Sequence, residues 1–591
     1  MNRLIPAVLG ALLLSAPGWA QPPRPAPRNI VIFVADGLRY GSVTPGNMPN
    51  MSRLKSEGVD FTNSHSLFPT ITTVNASAIA TGHYIGDTGD FGNSLYVGAP
   101  MLTADMSPIP GMENDLTQRE MAAHFGGNYL NETTLMAAAR ASGFATAVVG
   151  KVGPSRIQDS TAAEDGSQTL VLDDSTGHAG GFPLPAWFTA AMARAFVGPA
   201  TPPAQVPDTQ QQAYLVKAAT RIVLPHLAAS GKPFMLLYWC RDPDYSQHGA
   251  SDSVGEYVPG INSASAKAGT RDADTVLGEL LAALKQQGLD KTTDVFVTAD
   301  HGFNTVSHAS ATSPSLAAGT GELSNGFLAV DLAGKLGLKL FDPVKNSAAV
   351  DYAHGAKLSS GGAGLLGADP NHPEVVVAAN GGADLIYLNG DDAKGTAARI
   401  VDFLLTQDYV SGVFVNDKLG RFPGALPMSA VNLIGAARTP VPSIYVNFRT
   451  FLSGSCEDLL QCAVGVGDTP RLTGEGSHGA LSRAETRNFM AAIGPDFKAG
   501  YADPAPISNA DIAPTMAHLA GITLPSKGKL RGRVIGEALA GGAPVKVARQ
   551  VISSEPGPGG IRTYLDQQAV GDTRYFDAAG FEGKTVGLTT K

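Results

Sequence analysis

Acidic and imidazole side chains follow three apolar runs of strand length in this sequence. Asp36 ends the run NIVIFVA, Asp244 and His248 follow FMLLYWC, and Asp300 and His301 follow DVFVTA. Each residue alone is weak evidence, because an Asp before Gly usually forms a turn and a lone His is usually structural. Mixed oxygen and nitrogen ligands suit zinc, so together these residues predict a metal site at the ends of the strands.

A second candidate is the hydroxyl-rich segment FPTITTVNASAIATG, residues 68–82. Residues 74–81 are mostly small and predict a short helix, with threonines just before it. The N-terminus of a helix presents free N–H groups and a positive dipole end, which favour an alkoxide and an anionic substrate. A threonine at that place is more commonly an N-cap. On the residues alone, nucleophile and N-cap both stay open.

The secondary-structure elements that must position these residues alternate between predicted strands and predicted helices. Nearly continuous apolar runs, typical of strands covered on both faces, alternate with helical patterns. This alternation predicts a mainly parallel central sheet flanked by helices, in which ligands bind beyond the carboxyl ends of the strands. The predicted strands are 29–35, 145–150, 234–240 and 294–299, and the predicted helices are 132–142, 211–229 and 272–286.

The alternation of strands and helices stops after Gly302, where a stretch rich in Gly, Ser and Ala begins. This stretch keeps strand-like runs at 374–379 and 384–388 and a helix at 393–406, which predicts an inserted, smaller α+β subdomain rather than disorder. A chain of 591 residues has room for such an insertion in a large core. The predicted parts are a signal peptide (1–20), a Pro-rich linker (21–28), the first part of the catalytic core (29–310), the inserted subdomain (311–472), the second part of the core (473–541) and a C-terminal turn and hairpin tail (542–591).

The first twenty residues, MNRLIPAVLGALLLSAPGWA, combine one early positive charge, an apolar run and small residues at the end. The run is too short to span a bilayer, so it predicts a cleaved secretory signal rather than a retained anchor. We therefore expect a periplasmic or secreted protein without a membrane span in the mature chain. Export permits a disulfide between Cys456 and Cys462, and Cys240 would stay reduced within an apolar strand.

Composition excludes several other classes of protein. The 43 Lys+Arg and 52 Asp+Glu give a net charge of −9, which argues against a general nucleic-acid-binding surface. With 43% hydrophobic and 16% charged residues, the chain is neither disordered nor a membrane bundle. Three cysteines are too few for a disulfide-framed scaffold.

An ordered set of motifs carries a family resemblance: VADGLR, FPTITTVNASAIATGHYIGDTGDFGNSLY, DPDYSQHG, TADHGF and GSHGALSRAETRNFMAAIGPDF. Residues 29–302 and 473–539 resemble the alkaline phosphatase superfamily and, within it, the type I phosphodiesterase/nucleotide pyrophosphatase family. The resemblance implies an alkaline-phosphatase-like fold. It also implies a phosphoric ester hydrolase with two zinc ions per chain, a small-molecule phosphoric ester substrate and a covalent phosphothreonine intermediate.

The resemblance also implies a role for each site residue. The pattern Phe-Pro-x-x-Thr-x-x-Asn assigns the nucleophile to Thr72, whose hydroxyl would face both metals, and the Asn-Ser step in FGNSLY assigns transition-state binding to Asn93. Two zinc ions, three carboxylates and a Thr72 alkoxide sum to zero charge, so the site can accept an anionic phosphoryl group. The implied zinc ligands are Asp244, His248 and His478 in one site, and Asp36, Asp300 and His301 in the other.

The residues at two positions are compatible with more than one class of phosphoric ester substrate. Thr73 stands where nucleotide-cleaving relatives often have an aromatic residue for the base. Lys151 ends the predicted strand 145–150, with Arg156 nearby, and could hold a dianionic phosphate as in superfamily monoesterases, or be a solvated strand-end charge. A phosphodiesterase is the leading hypothesis, and a phosphomonoesterase for phosphate scavenging is the alternative. A non-catalytic metal-binding exoprotein would predict loss of ligands, and all six are present.

Overall fold

The computed structural model describes residues 28–195, 197–316, 321–352, 357–359 and 361–590. The predicted signal peptide, and the predicted linker apart from Arg28, lie outside these residues. Within the described ranges, no helix combines the length and the apolar character that crossing a membrane requires.

The secondary structure of the described residues alternates strands and helices in the first half and is strand-rich afterwards. The strands are β1 (Asn29–Ala35), β2 (Val59–Phe61), β3 (Ser64–His65), β4 (Ala145–Gly150), β5 (Thr169–Asp173), β6 (Phe234–Cys240), β7 (Thr293–Thr298), β8 (Asn304–Ser307), β9 (Leu340–Asp342), β10 (Ala348–Val350), β11 (Gly364–Leu366), β12 (Val375–Asn380), β13 (Ala383–Leu388), β14 (Val410–Val415), β15 (Leu426–Pro427), β16 (Ile444–Phe448), β17 (Thr450–Leu452), β18 (Ala463–Val466), β19 (Gly476–Ser477), β20 (Met490–Ile493), β21 (Tyr501–Asp503), β22 (Ile507–Ser508), β23 (Ala548–Ser553), β24 (Tyr564–Val570) and β25 (Thr573–Gly580). The α-helices are α1 (Pro49–Glu57), α2 (Thr72–Thr81), α3 (Ile85–Thr88), α4 (Asp115–His124), α5 (Leu135–Ala141), α6 (Pro154–Ile157), α7 (Ala186–Arg194), α8 (Thr209–Ala218), α9 (Leu224–Ala229), α10 (Asp244–His248), α11 (Ala264–Gln286), α12 (Phe327–Leu336), α13 (Ala393–Leu404), α14 (Arg483–Thr486) and α15 (Ile512–Ala520).

The central sheet has eight strands in the order β21-β2-β20-β7-β1-β6-β4-β5. From β7 to β5 all neighbours are parallel, whereas β20 runs antiparallel to both β7 and β2. Alternate residues of β1 belong to two different apolar clusters, because the sheet is covered on both faces. The predicted mainly parallel α/β fold is confirmed.

Predicted strands agree with the structure better than predicted helix starts do. The runs 145–150 and 234–240 coincide with β4 and β6. Helix starts depend on capping side chains, which the apolar pattern does not report. Thr134 caps α5 by accepting a hydrogen bond from Ala137 N at 3.2 Å, and Ser263 caps α11, which begins well before the predicted start.

A second sheet, also of eight strands, is built from residues 340–448 in the order β10-β9-β11-β12-β13-β16-β14-β15. It contains strands near the predicted runs 374–379 and 384–388, and α13 occupies most of the predicted helix. A four-stranded sheet, β17-β18-β8-β19, connects this region to the core, because β8 and β19 flank the region in the chain.

The last strands form a three-stranded antiparallel sheet, β23-β24-β25, in which the adjacent strands β24 and β25 form a hairpin within the predicted tail. Cys456 and Cys462 form a disulfide with a Cα–Cα distance of 5.9 Å. Cys240 is a free, buried thiol in β6, as its apolar surroundings in the sequence predict.

Candidate active site

Neighbouring parallel strands bring the predicted ligands to one edge of the central sheet. Asp36 follows β1, Asp244 begins α10 shortly after β6, and Asp300 and His301 follow β7. Because β1 lies between β6 and β7, the three strand ends are adjacent, and Asp244 N donates to Asp36 O at 2.9 Å. His478, which follows β19, joins them from a distant part of the chain.

The six predicted ligands form two groups of three. Within each group, one ligand atom per residue lies within 4.8 Å of the others: Asp244, His248 and His478, and Asp36, Asp300 and His301. The groups adjoin, because the rings of His301 and His478 stack with centroids 3.7 Å apart. The structure therefore brings together every residue of each predicted set.

The three imidazoles share one orientation, in which Nδ1 lies against a backbone carbonyl oxygen: His248 on Gly476 at 2.8 Å, His301 on Gly302 at 2.9 Å, and His478 on Thr70 at 2.8 Å. A carbonyl only accepts, so Nδ1 must carry the proton, and Nε2 of the neutral ring then presents a lone pair. Burial lowers the pKa of His478 well below its ordinary value, and the neighbouring imidazoles of His301 and His248 act in the same direction. That ring is therefore neutral, as a metal ligand must be.

The carboxylates leave acceptor atoms that no hydrogen-bond donor of the described residues satisfies: Asp36 Oδ1, Asp244 Oδ1 and Asp300 Oδ2. Asp244 Oδ1 lies 3.3 Å from His248 Nε2, and Asp300 Oδ2 lies 3.2 Å from His301 Nε2. With the imidazole protons on Nδ1, these are contacts between two acceptors, which only a cation stabilises. The residues present therefore fit a divalent metal in each group, and their mixed ligand types suit zinc.

The pKa values of the three buried aspartates differ between the two ligand groups. Burial, reinforced by the neighbouring Asp300, raises the pKa of Asp36 well above its ordinary value, and burial raises the pKa of Asp300. Burial alone would also raise the pKa of Asp244, but the nearby Lys151 cation acts most strongly in the other direction, and the pKa lies well below its ordinary value. In the Asp36 group, burial therefore opposes the charged form of both carboxylates, and a bound cation would stabilise that form.

Thr72 presents its hydroxyl to these groups from the first residue of α2. Its Oγ1 lies 3.2 Å from His301 Nε2, and the residue is 1% exposed. The N-cap of α2 is Ile71, and no side chain caps the helix. The N-cap interpretation of Thr72 is therefore wrong, because its hydroxyl faces the ligand groups instead of the first turn of the helix.

Asn93 lies beside Thr72 with its amide orientation fixed. Its Oδ1 accepts a hydrogen bond from Thr73 N at 3.1 Å, so its Nδ2 hydrogens face away from the start of α2. Asn93 is partly exposed and can reach a ligand, whereas Thr73 is 0% exposed. The position after Thr72 therefore offers no surface on which a nucleotide base could stack.

Lys151 lies at the end of β4, between the two ligand groups. Its Nζ lies 3.0 Å from Asp36 Oδ2, 3.5 Å from Asp244 Oδ2 and 2.7 Å from Glu113 Oε1. Burial alone would lower the pKa of Lys151, but Asp36 and Glu113 raise it well above its ordinary value. The interpretation as a solvated strand-end charge is wrong, because Lys151 is a buried cation that contacts one carboxylate of each group.

Residues 30–320 match the family model described as type I phosphodiesterase/nucleotide pyrophosphatase. These residues belong to that family. The chain is accordingly a phosphoric ester hydrolase with a mainly parallel α/β core. The matched segment holds all the site residues described above except His478.

Solved structures similar to this chain include human ectonucleotide pyrophosphatase/phosphodiesterase 5, with 15% identity and a TM-score of 0.48. An inactive variant of murine ectonucleotide pyrophosphatase/phosphodiesterase 5, in complex with AMP, is similar at 14% identity and a TM-score of 0.47. In both comparisons the similarity covers 87% of this chain and 100% of the other.

Around this phosphodiesterase-family site lie residues that the sequence did not indicate. Glu113 pairs with Lys151, and Trp239 Nε1 donates to Asp36 Oδ2 at 2.8 Å. Neither residue carries a sequence signal, since Glu113 lies in a loop and Trp239 lies within an apolar run. Arg156 does not join them, because its guanidinium donates to a backbone carbonyl at 3.4 Å.

Glu485 organises the loop that carries His478. It is fully buried and accepts hydrogen bonds from Thr70 Oγ1 at 2.8 Å, from Ala480 N at 2.6 Å and from the Asn304 side chain. Burial raises the pKa of Glu485 to about 7, although the Thr70 hydroxyl acts to lower it. Because Thr70 O in turn accepts from His478 Nδ1, Glu485 fixes the orientation of a predicted metal ligand.

We expect Glu485→Gln to weaken zinc binding by about tenfold to a hundredfold. The amide would replace one of the two acceptor oxygens with N–H donors. These would face either Thr70 and Ala480 or the Asn304 side chain, all of which already donate, so the His478 loop would lose part of its fixed position. A competition titration with a chelating dye measures the zinc affinity. Ser482→Ala, which removes a longer 3.3 Å hydrogen bond to the same carboxylate, is the matched control and should keep most of the affinity. Unchanged zinc affinity in Glu485→Gln would contradict the role.

A third group, His83, Asp87 and Glu132, also has ligand atoms within 4.8 Å of one another. Here backbone N–H groups satisfy the carboxylates: Ala436 N donates to Asp87 Oδ1 at 3.0 Å and Lys527 N to Glu132 Oε2 at 2.8 Å. His83 Nδ1 faces Asp87 Oδ2 at 2.9 Å. The group has no unsatisfied acceptor for a metal, and it ties α3 to distant loops.

Proposed function

We propose that the protein is an exported, two-zinc phosphoric ester hydrolase that acts through a covalent phosphothreonine intermediate. The observation that supports this is the approach of Thr72 Oγ1 to two adjoining groups of buried metal-ligand residues. When bound there, zinc supplies a Lewis acid that lowers the pKa of a coordinated hydroxyl and stabilises charge on the phosphoryl oxygens.

In the proposed reaction, Thr72 Oγ attacks the phosphorus and gives up its proton to solvent as the O–P bond forms. The ester O–P bond breaks, and the leaving alkoxide takes a proton from solvent and departs as the alcohol. Water then attacks the phosphothreonine, returns a proton to Thr72 Oγ, and releases phosphate from a monoester substrate or a phosphomonoester from a diester. Asn93 Nδ2 donates to a non-bridging phosphoryl oxygen, since its Oδ1 is already held by Thr73 N.

The charges of the proposed site balance in the presence of two zinc ions. Three aspartates and a Thr72 alkoxide offset the metals, and Lys151 offsets Glu113, 2.7 Å away. A neutral pocket can accept an anionic phosphoryl group without large repulsion.

Diesters are the leading proposed substrates, in keeping with the family description. A specific observation favours phosphomonoesters as the second candidate: Lys151 Nζ lies among the metal-ligand carboxylates, 3.0 Å from Asp36 Oδ2. A monoester dianion carries one more negative charge than a diester, so a further cation in the site stabilises it more.

We expect Lys151→Gln to lower kcat/KM for an aryl phosphomonoester about tenfold more than for the matching diester, because only the monoester has the extra charge. Parallel rates with both esters, for the zinc-loaded parent and the variant, measure this. The ester that the parent enzyme hydrolyses faster, monoester or diester, identifies its substrate class. Lys232→Gln, at an exposed lysine before β6, is the control and should change neither rate. Equal losses with both esters would assign Lys151 a structural role.

The proposed export rests on the pattern of residues 1–20 and is supported by the disulfide between Cys456 and Cys462, since such bonds persist in oxidising compartments. We expect protein purified from an exporting host to begin near Gln21. N-terminal sequencing measures this, and a retained Met1 would contradict it. Non-reducing peptide mapping should recover both cysteines in one fragment.

We also propose that residues 311–472 form the inserted subdomain between core parts 29–310 and 473–541, with a tail at 542–591. In support, every strand of the second sheet lies within 311–472, and every strand of the three-stranded sheet lies within the tail.

A further inference from the structure

Three arginines line one cavity of about 390 Å³ outside the active site. Arg483 belongs to α14, Arg487 follows this helix, and Arg549 belongs to β23. Asp577 of β25 is the one carboxylate among the residues that line this cavity. We call it the arginine pocket. Its lining holds three arginines and one aspartate, and the charge of Asp566 also acts on Arg483 and Arg549.

Asp577 is already committed to other partners. His65 Nε2 lies 3.0 Å from its Oδ1, Gln568 Nε2 donates to its Oδ2 at 2.9 Å, and Arg483 Nε lies 3.3 Å from its Oδ1. Burial alone would raise the pKa of Asp577, but His65 lowers it far below its ordinary value. Asp577 therefore stays ionised and offsets no more than one arginine.

Arg483 forms a fixed part of the pocket wall. Its NH1 donates to Ser64 O at 3.0 Å and its NH2 to Asn63 Oδ1 at 3.2 Å. Burial lowers the pKa of Arg483 to about 10, with Asp577 opposing the change and Arg487 adding to it. The other cations are thus close enough to repel the Arg483 charge, and an anion between them would relieve that repulsion.

The other two guanidinium groups have donors to spare. Arg487 stacks over Tyr40 with its Cζ 4.5 Å from the ring centre, and its ion pair with Asp458 is long, at 3.9 Å. Arg549 is exposed on an edge strand, and its guanidinium makes no ion pair or side-chain hydrogen bond with any residue that the structure describes. The guanidinium groups of Arg487 and Arg549 can therefore donate hydrogen bonds to a ligand without losing a strong contact.

We propose that the arginine pocket binds inorganic phosphate. Arginine forks bind tetrahedral oxyanions through paired, charge-assisted hydrogen bonds, and three arginines around a small cavity match such an anion. The whole chain carries a net charge of −9, so it has no general attraction for anions. Phosphate binding at this cavity would therefore depend on the local cluster of arginines. This site is separate from the active site and does not depend on the proposed function.

Equilibrium dialysis of labelled phosphate against the zinc-loaded enzyme tests the proposal. We expect the parent to bind one more phosphate per chain than Arg549→Ala, because the pocket affinity should fall at least about tenfold. Arg549 is exposed on an edge strand, so this variant should fold normally, and Arg487→Ala is a second test. Lys546→Ala, which removes an exposed charge near β23 but outside the cavity, should bind like the parent.

Equal phosphate binding by the parent, Arg549→Ala and Arg487→Ala would overturn the proposal. Inhibition of turnover by phosphate reports on the active site, and the inhibition constant should be the same in the parent and in Arg549→Ala. If the proposed function were wrong, this inhibition would be missing in every variant. The difference of one bound phosphate between the parent and Arg549→Ala would remain.

Discussion

Thr72→Ala should lower turnover at least about a thousandfold while the protein keeps its fold and its metal content. The hydroxyl that this change removes is the proposed attacking group, and its Oγ1 lies 3.2 Å from His301 Nε2. The same hydroxyl does not cap α2, because Ile71 is the N-cap residue. Its loss should therefore cost no more than about 1 kcal/mol in free energy of unfolding, the usual value for a cap.

Steady-state rates on an aryl phosphate ester, together with zinc content and thermal unfolding, measure this result. Thr81→Ala is a matched control, because that buried hydroxyl lies at the other end of α2 and donates to Ser77 O at 2.7 Å. Thr70→Ala is unsuitable, since Thr70 Oγ1 donates to Glu485. Thr72→Ser should retain part of the rate, because it keeps the hydroxyl.

A parent-like rate in Thr72→Ala would rule out the covalent threonine intermediate. Direct attack of water on the phosphorus would then be the better mechanism. The proposal of two metal sites would survive, because it rests on the six ligand residues and not on Thr72.

Removal of zinc with a chelator should abolish turnover, and zinc added back should restore it. The purified enzyme should contain about two zinc ions per chain, since each group of three ligands has buried acceptors that lack a hydrogen-bond donor. Thermal stability should fall with the metal, because Asp36 Oδ1 and Asp300 Oδ2 are buried and accept no hydrogen bond from the described residues. Metal analysis, rates and unfolding before and after chelation measure these effects.

His248→Ala separates the two groups, because His248 is the most exposed of the six ligands and its loss should disturb folding least. We expect about one zinc ion per chain in this variant and a rate at least about a hundredfold lower. His372→Ala, at a histidine whose side chain is 87% exposed, should keep both metals. An enzyme with no zinc above background and a rate insensitive to chelator would refute the two-metal site.

The sequence by itself determined the central strands and the set of residues at their carboxyl ends. Strands β4 and β6 coincide with predicted runs, because strands covered on both faces consist almost entirely of apolar residues. Adjacent parallel strands end at the same edge of the sheet. Asp36, Asp244 and Asp300 could therefore be expected to meet there before any contact was known.

Only the tertiary structure decided which side chains support these ligands. Asp36 contacts Lys151 and Trp239 directly, and Glu113 contacts Lys151, although these residues lie in distant parts of the chain. Glu485 supports His478 through Thr70. A sequence pattern reports the burial and periodicity of one segment, which determine a strand. The partner of a buried charge depends on how distant segments pack, and no local pattern encodes that.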